Sequence, residues 1–369
     1  MKELTIKSSD SNQRLDKYLK RVFPEMGTSF LYKMLRKKNI TLNNKKATGS
    51  ELVKTSDMIQ CFFSDETFHK FAGNSNSAPL ESEHTSSNNA KSEASNSTKK
   101  QSDTKEYITA YETVKGIKVI YEDEHILLLD KPAGILSQKA NPNDMSLNEW
   151  MIGYLLNSKA VTEDSLKRFK PSICNRLDRN TSGLVICGKT LLGSREMSRM
   201  LKDRSIQKYY RTYVYGKLEG KKVLEGFHYK DKNRNQAKIF FTKPVRDIEQ
   251  YDSIITAYRS LEAKNNFSYL EIELITGKTH QIRAHLAAYG HAIAGDRKYE
   301  SNIANKVKPY VNASNTPNIV YKNFPKYQLL HAYRVVFPTL EGELSYLSKK
   351  EFICKEPAAF EQFRKNYFH

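Results

Sequence analysis

Cysteine is scarce in this chain. Four occur in 369 residues, at Cys61, Cys174, Cys187 and Cys354, and no two form a Cys-x-x-Cys pair. That excludes a ribbon-type zinc site and a disulfide framework, and it suits a reducing compartment. Apolar runs are short, and none approaches the ~20 residues of a membrane span. The first residues, Met1 to Lys7, lack the apolar stretch of a signal peptide. The expected location is therefore cytoplasmic, with no membrane partner. No His-Glu-x-x-His, Gly-x-Gly-x-x-Gly or Walker loop occurs, so no nucleotide cofactor is expected. His280, His285 and His291 stand five and six residues apart. That spacing does not put two imidazoles on one helical face, and no metal is expected.

Acidic charge is also in short supply. Sixty Lys and Arg face 41 Asp and Glu, for a net charge of +19. Such an excess points to a polyanionic partner, of which nucleic acid is the commonest.

The charge is not spread evenly. Residues 12–62 carry eleven Lys/Arg and four Asp/Glu. Leu15, Tyr18, Leu19, Val22 and Phe23 form one helical face, ended by Pro24 and Gly27. Thr28 or Ser29 is the expected cap of a second helix, with Phe30, Leu31, Met34 and Leu35 inward and Lys33, Arg36, Lys37 and Lys38 outward. Residues 39–46 read as a strand and an Asn-Asn turn, and another strand follows Val53. Cations gathered on so short a module suit phosphate contact. Residues 64–105 differ: Ser and Asn supply fifteen of the 42. Too little apolar surface is present there to offset the entropy of ordering, so a flexible linker is expected.

From 106 to 369 the composition is that of a folded domain. Residues 119–121 and 126–130 read as strands, 146–156 as a helix capped by Ser146, 184–186 as a buried strand, 190–202 as a helix, 211–215 as a strand and 279–288 as a helix. Strands dominate. The expected class is α+β, a mixed, largely antiparallel sheet domain preceded by a small cationic α/β module.

The chemistry gathers around Asn175-Arg176-Leu177-Asp178-Arg179-Asn180-Thr181-Ser182-Gly183. One carboxylate stands between two arginines, ahead of a turn and a buried strand. A carboxylate so placed stays ionised and fixed, as a nucleophile or base requires. Gly183 suits a tight bend or a close backbone approach. Gln281 and Arg283, near a helix start, could hold an anion or orient a carboxylate.

Residues 175–183 resemble the His-Arg-Leu-Asp-x-x-Thr-Ser-Gly signature of the RluA family of pseudouridine synthases. Asp-Lys-Pro-Ala-Gly at 130–134, Lys-x-Tyr at Lys208 and Tyr210, Thr-Gly-Lys-Thr-His-Gln-Ile-Arg at 276–283, Gly-Asp at 295–296 and Leu-His-Ala at 330–332 follow in the family's pattern. Residues 12–63 resemble the small RNA-binding domain first seen in ribosomal protein S-four, through Arg14-Leu15-Asp16, Ser29, Leu35-Arg36 and Ile40-Thr41-Leu42-Asn43. Arg14-Leu15-Asp16 shares three letters with the Asp178 stretch but reads as a helix start.

The resemblance implies an isomerase that converts uridine in RNA to pseudouridine without a cofactor. Large-subunit ribosomal RNA is the expected partner, with transfer RNA, or a non-catalytic role in ribosome assembly, as alternatives. It makes Asp178 the catalytic aspartate, attacking ribose or uracil or assisting glycosidic cleavage. Arg283 would pair with Asp178. Tyr210 would pack on the base or serve in proton removal. Arg176 would displace the target nucleotide or hold its phosphate. Arg14, Lys33, Arg36, Lys37 and Lys38 are the RNA-binding candidates of the module. His280, Gln281 and His331 are expected to support structure. Asn175 replaces the family's usual His, and Lys278 replaces a frequent Arg. The absence of an interface-like apolar stripe suggests a monomer.

Overall fold

The computed structural model describes residues 2–7, 10–64, 67–68, 71, 104–231, 236–244, 251–300 and 325–368. Most of the 64–105 segment, expected to be a linker, lies outside the described residues. The chain divides into two units, Met1–Asn96 and Ser97–His369.

Among the described residues the first unit is built on a four-stranded antiparallel sheet with helices packed against it. Strands β1 (Lys2–Thr5), β2 (Ile40–Leu42), β3 (Lys45–Lys46) and β4 (Met58–Cys61) lie in the order β1-β4-β2-β3. The sheet thus begins ahead of residue 12, where the sequence places the start of the module. Asn43 and Asn44 both take positive φ, 50° and 62°. Asn tolerates that region, and two such residues make the tight turn that matches strand twist in a hairpin. Helices α1 (Leu15–Val22) and α2 (Thr28–Arg36) bury Leu15, Leu19, Leu31 and Leu35 against Ile40, Val53 and Ile59. The cap of α2 differs from expectation. Gly27 holds the extended cap position, Thr28 is already helical, and no side chain caps the turn. Lys33, Arg36, Lys37 and Lys38 are exposed.

The second unit holds an eleven-stranded sheet. Its strands are β5 (Lys118–Glu122), β6 (Ile126–Lys131), β7 (Ser172–Ile173), β8 (Ser182–Gly188), β9 (Gln207–Tyr215), β10 (Lys221–Asp231), β11 (Gln236–Phe240), β12 (Asp252–Lys264), β13 (Phe267–Leu274), β14 (Leu330–Val336) and β15 (Glu351–Ile353). The path is β11-β10-β12-β13-β9-β14-β8-β6-β5, with β15 on β14 and β7 on β8. Among the described strands only β14 and β8 pair in parallel; the rest are antiparallel. The mixed, largely antiparallel α+β domain is as the sequence predicts.

The centre of this sheet is buried on both faces, which explains its continuous apolar runs. Leu127, Leu129, Val185 and Cys187 pack with Trp150, Met151 and Leu155 of α3 (Leu147–Asn157). Ile126, Leu128, Leu184 and Ile186 pack with Met197 and Met200 of α5 (Leu191–Lys202), which follows α4 (Glu163–Arg168). Ser146 caps α3 by accepting from the Asn148 N–H, as expected, and Thr190 caps α5 through the Gly193 N–H. At Gly183, φ is +109° and an added Cβ would lie 2.2 Å from the Ala332 carbonyl oxygen. Only glycine admits β14 this close, so Gly183 sets the parallel pairing of β14 with β8 beside Asp178.

Candidate active site

Asp178 sits in the turn that leads from β7 into β8. The turn closes through the Thr181 N–H, which donates to the Asp178 carbonyl at 3.0 Å. The segment after β6 grips both neighbours of Asp178. Ser137 Oγ accepts from the Leu177 N–H at 3.0 Å and donates to the Leu177 carbonyl at 2.7 Å. Gly134 N–H donates to the Arg179 carbonyl at 2.9 Å, and Arg179 Nε donates back to the Gly134 carbonyl at 3.0 Å. Fully buried Lys131 donates to the carbonyls of Pro132, Ile135 and Arg179 at 3.1, 2.9 and 3.1 Å. Burial pulls its ammonium down to about 7, while the charges of Asp178 and Asp130 oppose the fall. The backbone around Asp178 is thereby fixed before any substrate arrives.

The carboxylate itself is held from across the fold. Arg283, on α6 (Gln281–Ala288), donates from Nη1 to Asp178 Oδ2 at 2.8 Å. Its Nε and Nη2 form a forked pair with buried Asp296, at 2.7 and 2.9 Å. Such a two-point contact fixes the guanidinium in plane and aims the remaining nitrogen. Burial alone would lower the Arg283 guanidinium, but the hydrogen bonds and charges of Asp296 and then Asp178 outweigh it and hold it above its ordinary value. Asp178 Oδ1 has no hydrogen-bond partner among the described residues, and the side chain is 26% exposed. One oxygen is tethered and the other is open.

His280 stands beside this pair, with Nε2 3.8 Å from Asp178 Oδ2. It precedes α6 in the left-handed region, at φ 54°. Its Nδ1 lies 3.0 Å from the Tyr299 hydroxyl, which accepts from the Ala237 N–H at 2.9 Å. The phenol oxygen thus links the Ala237 backbone to the imidazole and holds the ring beside Asp178. Burial draws the imidazole down to about 4 against the pull of Asp178's charge. At neutral pH the ring is therefore neutral, and its 3.8 Å contact with the carboxylate is not an ion pair. Tyr210 projects from β9, between Ile272 of β13 and Ala332 of β14, and is 6% exposed. Burial, and then the charge of Asp178, raises its phenol well above the ordinary value.

The arrangement therefore offers an aimed carboxylate, a fixed cation and a neutral aromatic wall. The profile of the RNA pseudouridylate synthase family matches residues 125–288. The ribosomal large subunit pseudouridine synthase C of Rickettsia felis is 30% identical over 353 residues, covering 93% of this chain and 96% of that one. The chain belongs to the RNA pseudouridine synthase family. An uncharacterised RNA pseudouridine synthase of Mycoplasma genitalium is 27% identical, covering 91% of this chain and 89% of its own. Among solved structures, human RNA pseudouridylate synthase domain containing 4 superposes with a TM-score of 0.50 at 18% identity, covering 71% of this chain and 96% of that one, which shows the shared fold. The protein is an enzyme that isomerises uridine in RNA to pseudouridine.

Other candidates in the synthase divide by what their side chains touch. Arg176 is exposed and makes no hydrogen bond or ion pair among the described residues. Asn175, the departure from the family pattern, turns inward, and its Oδ1 accepts from the Ile186 N–H at 2.8 Å. Gln281 holds no anion. Its amide binds Thr276 Oγ1, the Lys278 N–H, the Ile255 carbonyl and Thr256 Oγ1, fixing the loop before α6. His331 lies between Ser182 Oγ and the Cys354 carbonyl. Lys278 pairs with Asp252 at 2.7 Å. In the first unit, Arg14 is engaged by Asp16 rather than free. Among the described residues no group of three or more His, Cys, Asp or Glu is placed to hold a metal ion.

Sequence reasoning assigned no role to Asp296, Tyr299 or Lys131. Asp296 carried a signal: a lone carboxylate following Ala292-Ile293-Ala294 must be buried, and a buried carboxylate requires a cation. Tyr299 carried none, because its partners Ala237, His280 and Arg283 are remote in the sequence.

Proposed function

We propose that the synthase modifies uridines of large-subunit ribosomal RNA, with Asp178 as the catalytic carboxylate. The observation that carries this reading is the Arg283–Asp178 contact of 2.8 Å, which tethers one carboxylate oxygen and leaves the other open. The isomerisation breaks the N1–C1′ bond, turns the uracil and joins C5 to C1′. The C5 hydrogen leaves as a proton and N1 takes one up, so atoms and electrons balance with no oxidant and no energy donor. Uridine in a structured RNA cannot reach a carboxylate in a pocket without leaving its stack. Tyr210 supplies a flat, apolar wall for the extruded base. Its raised phenol stays protonated at neutral pH, which favours packing over a role as base. Arg176, exposed and without a partner among the described residues, is available for a phosphate or for the space the nucleotide vacates.

The substrate class rests on the relatives, among them the Rickettsia felis enzyme and ribosomal large subunit pseudouridine synthase D of Nitrosomonas europaea, 28% identical over 80% of this chain and 72% of its own. The exposed cations of α2 support a module that adds affinity for RNA backbone. Tritium release from uridine C5 tests the assignment, because the new C5 bond expels that hydrogen. The wild-type chain should release tritium from large-subunit ribosomal RNA transcripts, and replacing Lys33, Arg36, Lys37 and Lys38 with Gln should reduce it at limiting RNA. Release from transfer RNA alone would reassign the substrate.

A further inference from the structure

Lysine ammonium groups that leave bulk water need acceptors or counter-charge. Lys131 has three carbonyls. Lys189 has Glu122 at 2.7 Å. Lys208 is different. It is half-buried on β9, two residues before Tyr210, and makes no hydrogen bond or ion pair among the described residues. Its neighbour is another cation, Arg204, which is exposed, without a partner among the described residues, and held at φ 65°. Burial, and then the charge of Arg204, lowers the Lys208 ammonium. Both causes act against keeping a positive charge there, and no carboxylate among the described residues offsets them.

The place matters as much as the charge. Alternation along a strand puts Lys208 on the same face of β9 as Tyr210, about 7 Å away along the chain. Lys208 Nζ lies 3.8 Å from the position a Cβ would take on Gly277. Gly277 is exposed and belongs to the loop that carries His280 to Asp178. The absent side chain leaves the approach to Nζ open. Lys278, the cation of that loop, is already occupied by Asp252.

We propose that Lys208, with Arg204 beside it, binds an RNA backbone phosphate flanking the uridine held against Tyr210. Neither cation has a carboxylate partner among the described residues, and the substrate brings the anion. Lys208 is then a binding residue that positions the nucleotide. It does not touch the bonds that change. The inference rests on the assignment of RNA as substrate.

The experiment is RNA binding by the full chain in the Asp178→Asn background, which removes turnover, measured from 50 to 300 mM KCl on a large-subunit ribosomal RNA transcript. Lys208→Met keeps length and removes charge. It should raise Kd about tenfold at low salt. It should also reduce the slope of log Kd against log salt by about 0.7–0.9, the signature of one lost phosphate contact. The same substitution should leave the melting temperature equal or higher, because an uncompensated charge has been removed. Lys208→Arg should restore the slope, and Arg204→Gln, at an exposed position, should reduce it. A packing role for Lys208 predicts the reverse pattern: a lower melting temperature with the slope unchanged. That result, where the unmutated enzyme releases tritium from the same RNA, overturns this inference alone. Absence of salt-sensitive RNA binding by the parent overturns it together with the substrate assignment.

Discussion

Arg14-Leu15-Asp16 and Arg176-Leu177-Asp178 spell the same three residues and do opposite things. In the first, arginine and aspartate satisfy each other: Arg14 Nε and Nη2 reach Asp16 at 3.1 and 3.0 Å, and the Tyr32 hydroxyl adds a third bond at 2.7 Å. In the second, the arginine is released to solvent and the aspartate is taken over by Arg283, more than a hundred residues on. The chain on the C-terminal side of each triplet makes the difference. Leu15 opens a helix, which folds the short loop back on itself. Leu177 is clamped by Ser137, and Thr181-Ser182-Gly183 carries the chain into a strand buried on both faces. A carboxylate neutralised locally stabilises a fold. One held from a distance by a single nitrogen keeps an oxygen for chemistry.

The strongest way to break the contrast is to remove the distant cation. Arg283→Met leaves Asp178 unaimed and Asp296 buried without a partner. Loss of one member of a buried pair costs about 3–5 kcal/mol. Urea unfolding should show that loss, and turnover should fall by about 10²-fold or more in tritium release. A variant with wild-type stability and turnover would dissolve the distinction between the two triplets.

A smaller effect is expected at Tyr299, which orients His280 beside Asp178. Tyr299→Phe should lower kcat about fivefold, the equivalent of one hydrogen bond of ~1 kcal/mol, with KM little changed. A change confined to KM would remove Tyr299 from the account of how Asp178 is positioned.

The first triplet should respond to pH rather than to catalysis. Burial would raise the Asp16 carboxyl, but the hydrogen bonds from Tyr32 and Arg14 outweigh it and hold it below its ordinary value. A depressed carboxyl stabilises the fold fully above its ordinary value, and that contribution is lost as pH falls through the depressed one. Melting curves from pH 6 to 2 should therefore show a flatter acid limb in Asp16→Asn than in wild type, with neutral-pH turnover preserved. The smallest effect is expected at Asn175. Asn175→Ala should cost about 1 kcal/mol of stability through the orphaned Ile186 N–H, and should leave kcat within about twofold. A large loss of turnover there would return Asn175 to the reacting site.

Legibility in the sequence followed the range of each interaction. Strands β6 and β8 were readable because burial on both faces writes itself as unbroken apolar runs. Ser146 was readable because capping acts over two residues, and Gly183 because its backbone conformation admits no side chain. Asp178, Tyr210 and Arg283 were readable through ordered motifs that resemble a family. The forked contact of Arg283 with Asp296, the link from Ala237 through Tyr299 to His280, and the pairing of β1 with β4 all join residues far apart in the chain. Neither periodicity nor propensity records such contacts. The Gly27 cap of α2 escaped for a different reason: an extended glycine can open a helix without a side-chain bond, so Thr28 and Ser29 looked the better candidates.

The measurement that tests the central claim most directly is single-turnover tritium release with enzyme in excess over RNA, on wild type, Asp16→Asn and Asp178→Asn side by side. The account predicts that Asp16→Asn releases tritium within about threefold of the wild-type rate, while Asp178→Asn loses about 10³-fold or more and still binds RNA. Release by Asp178→Asn at a rate near wild type would show that the open carboxylate oxygen is not where the chemistry occurs.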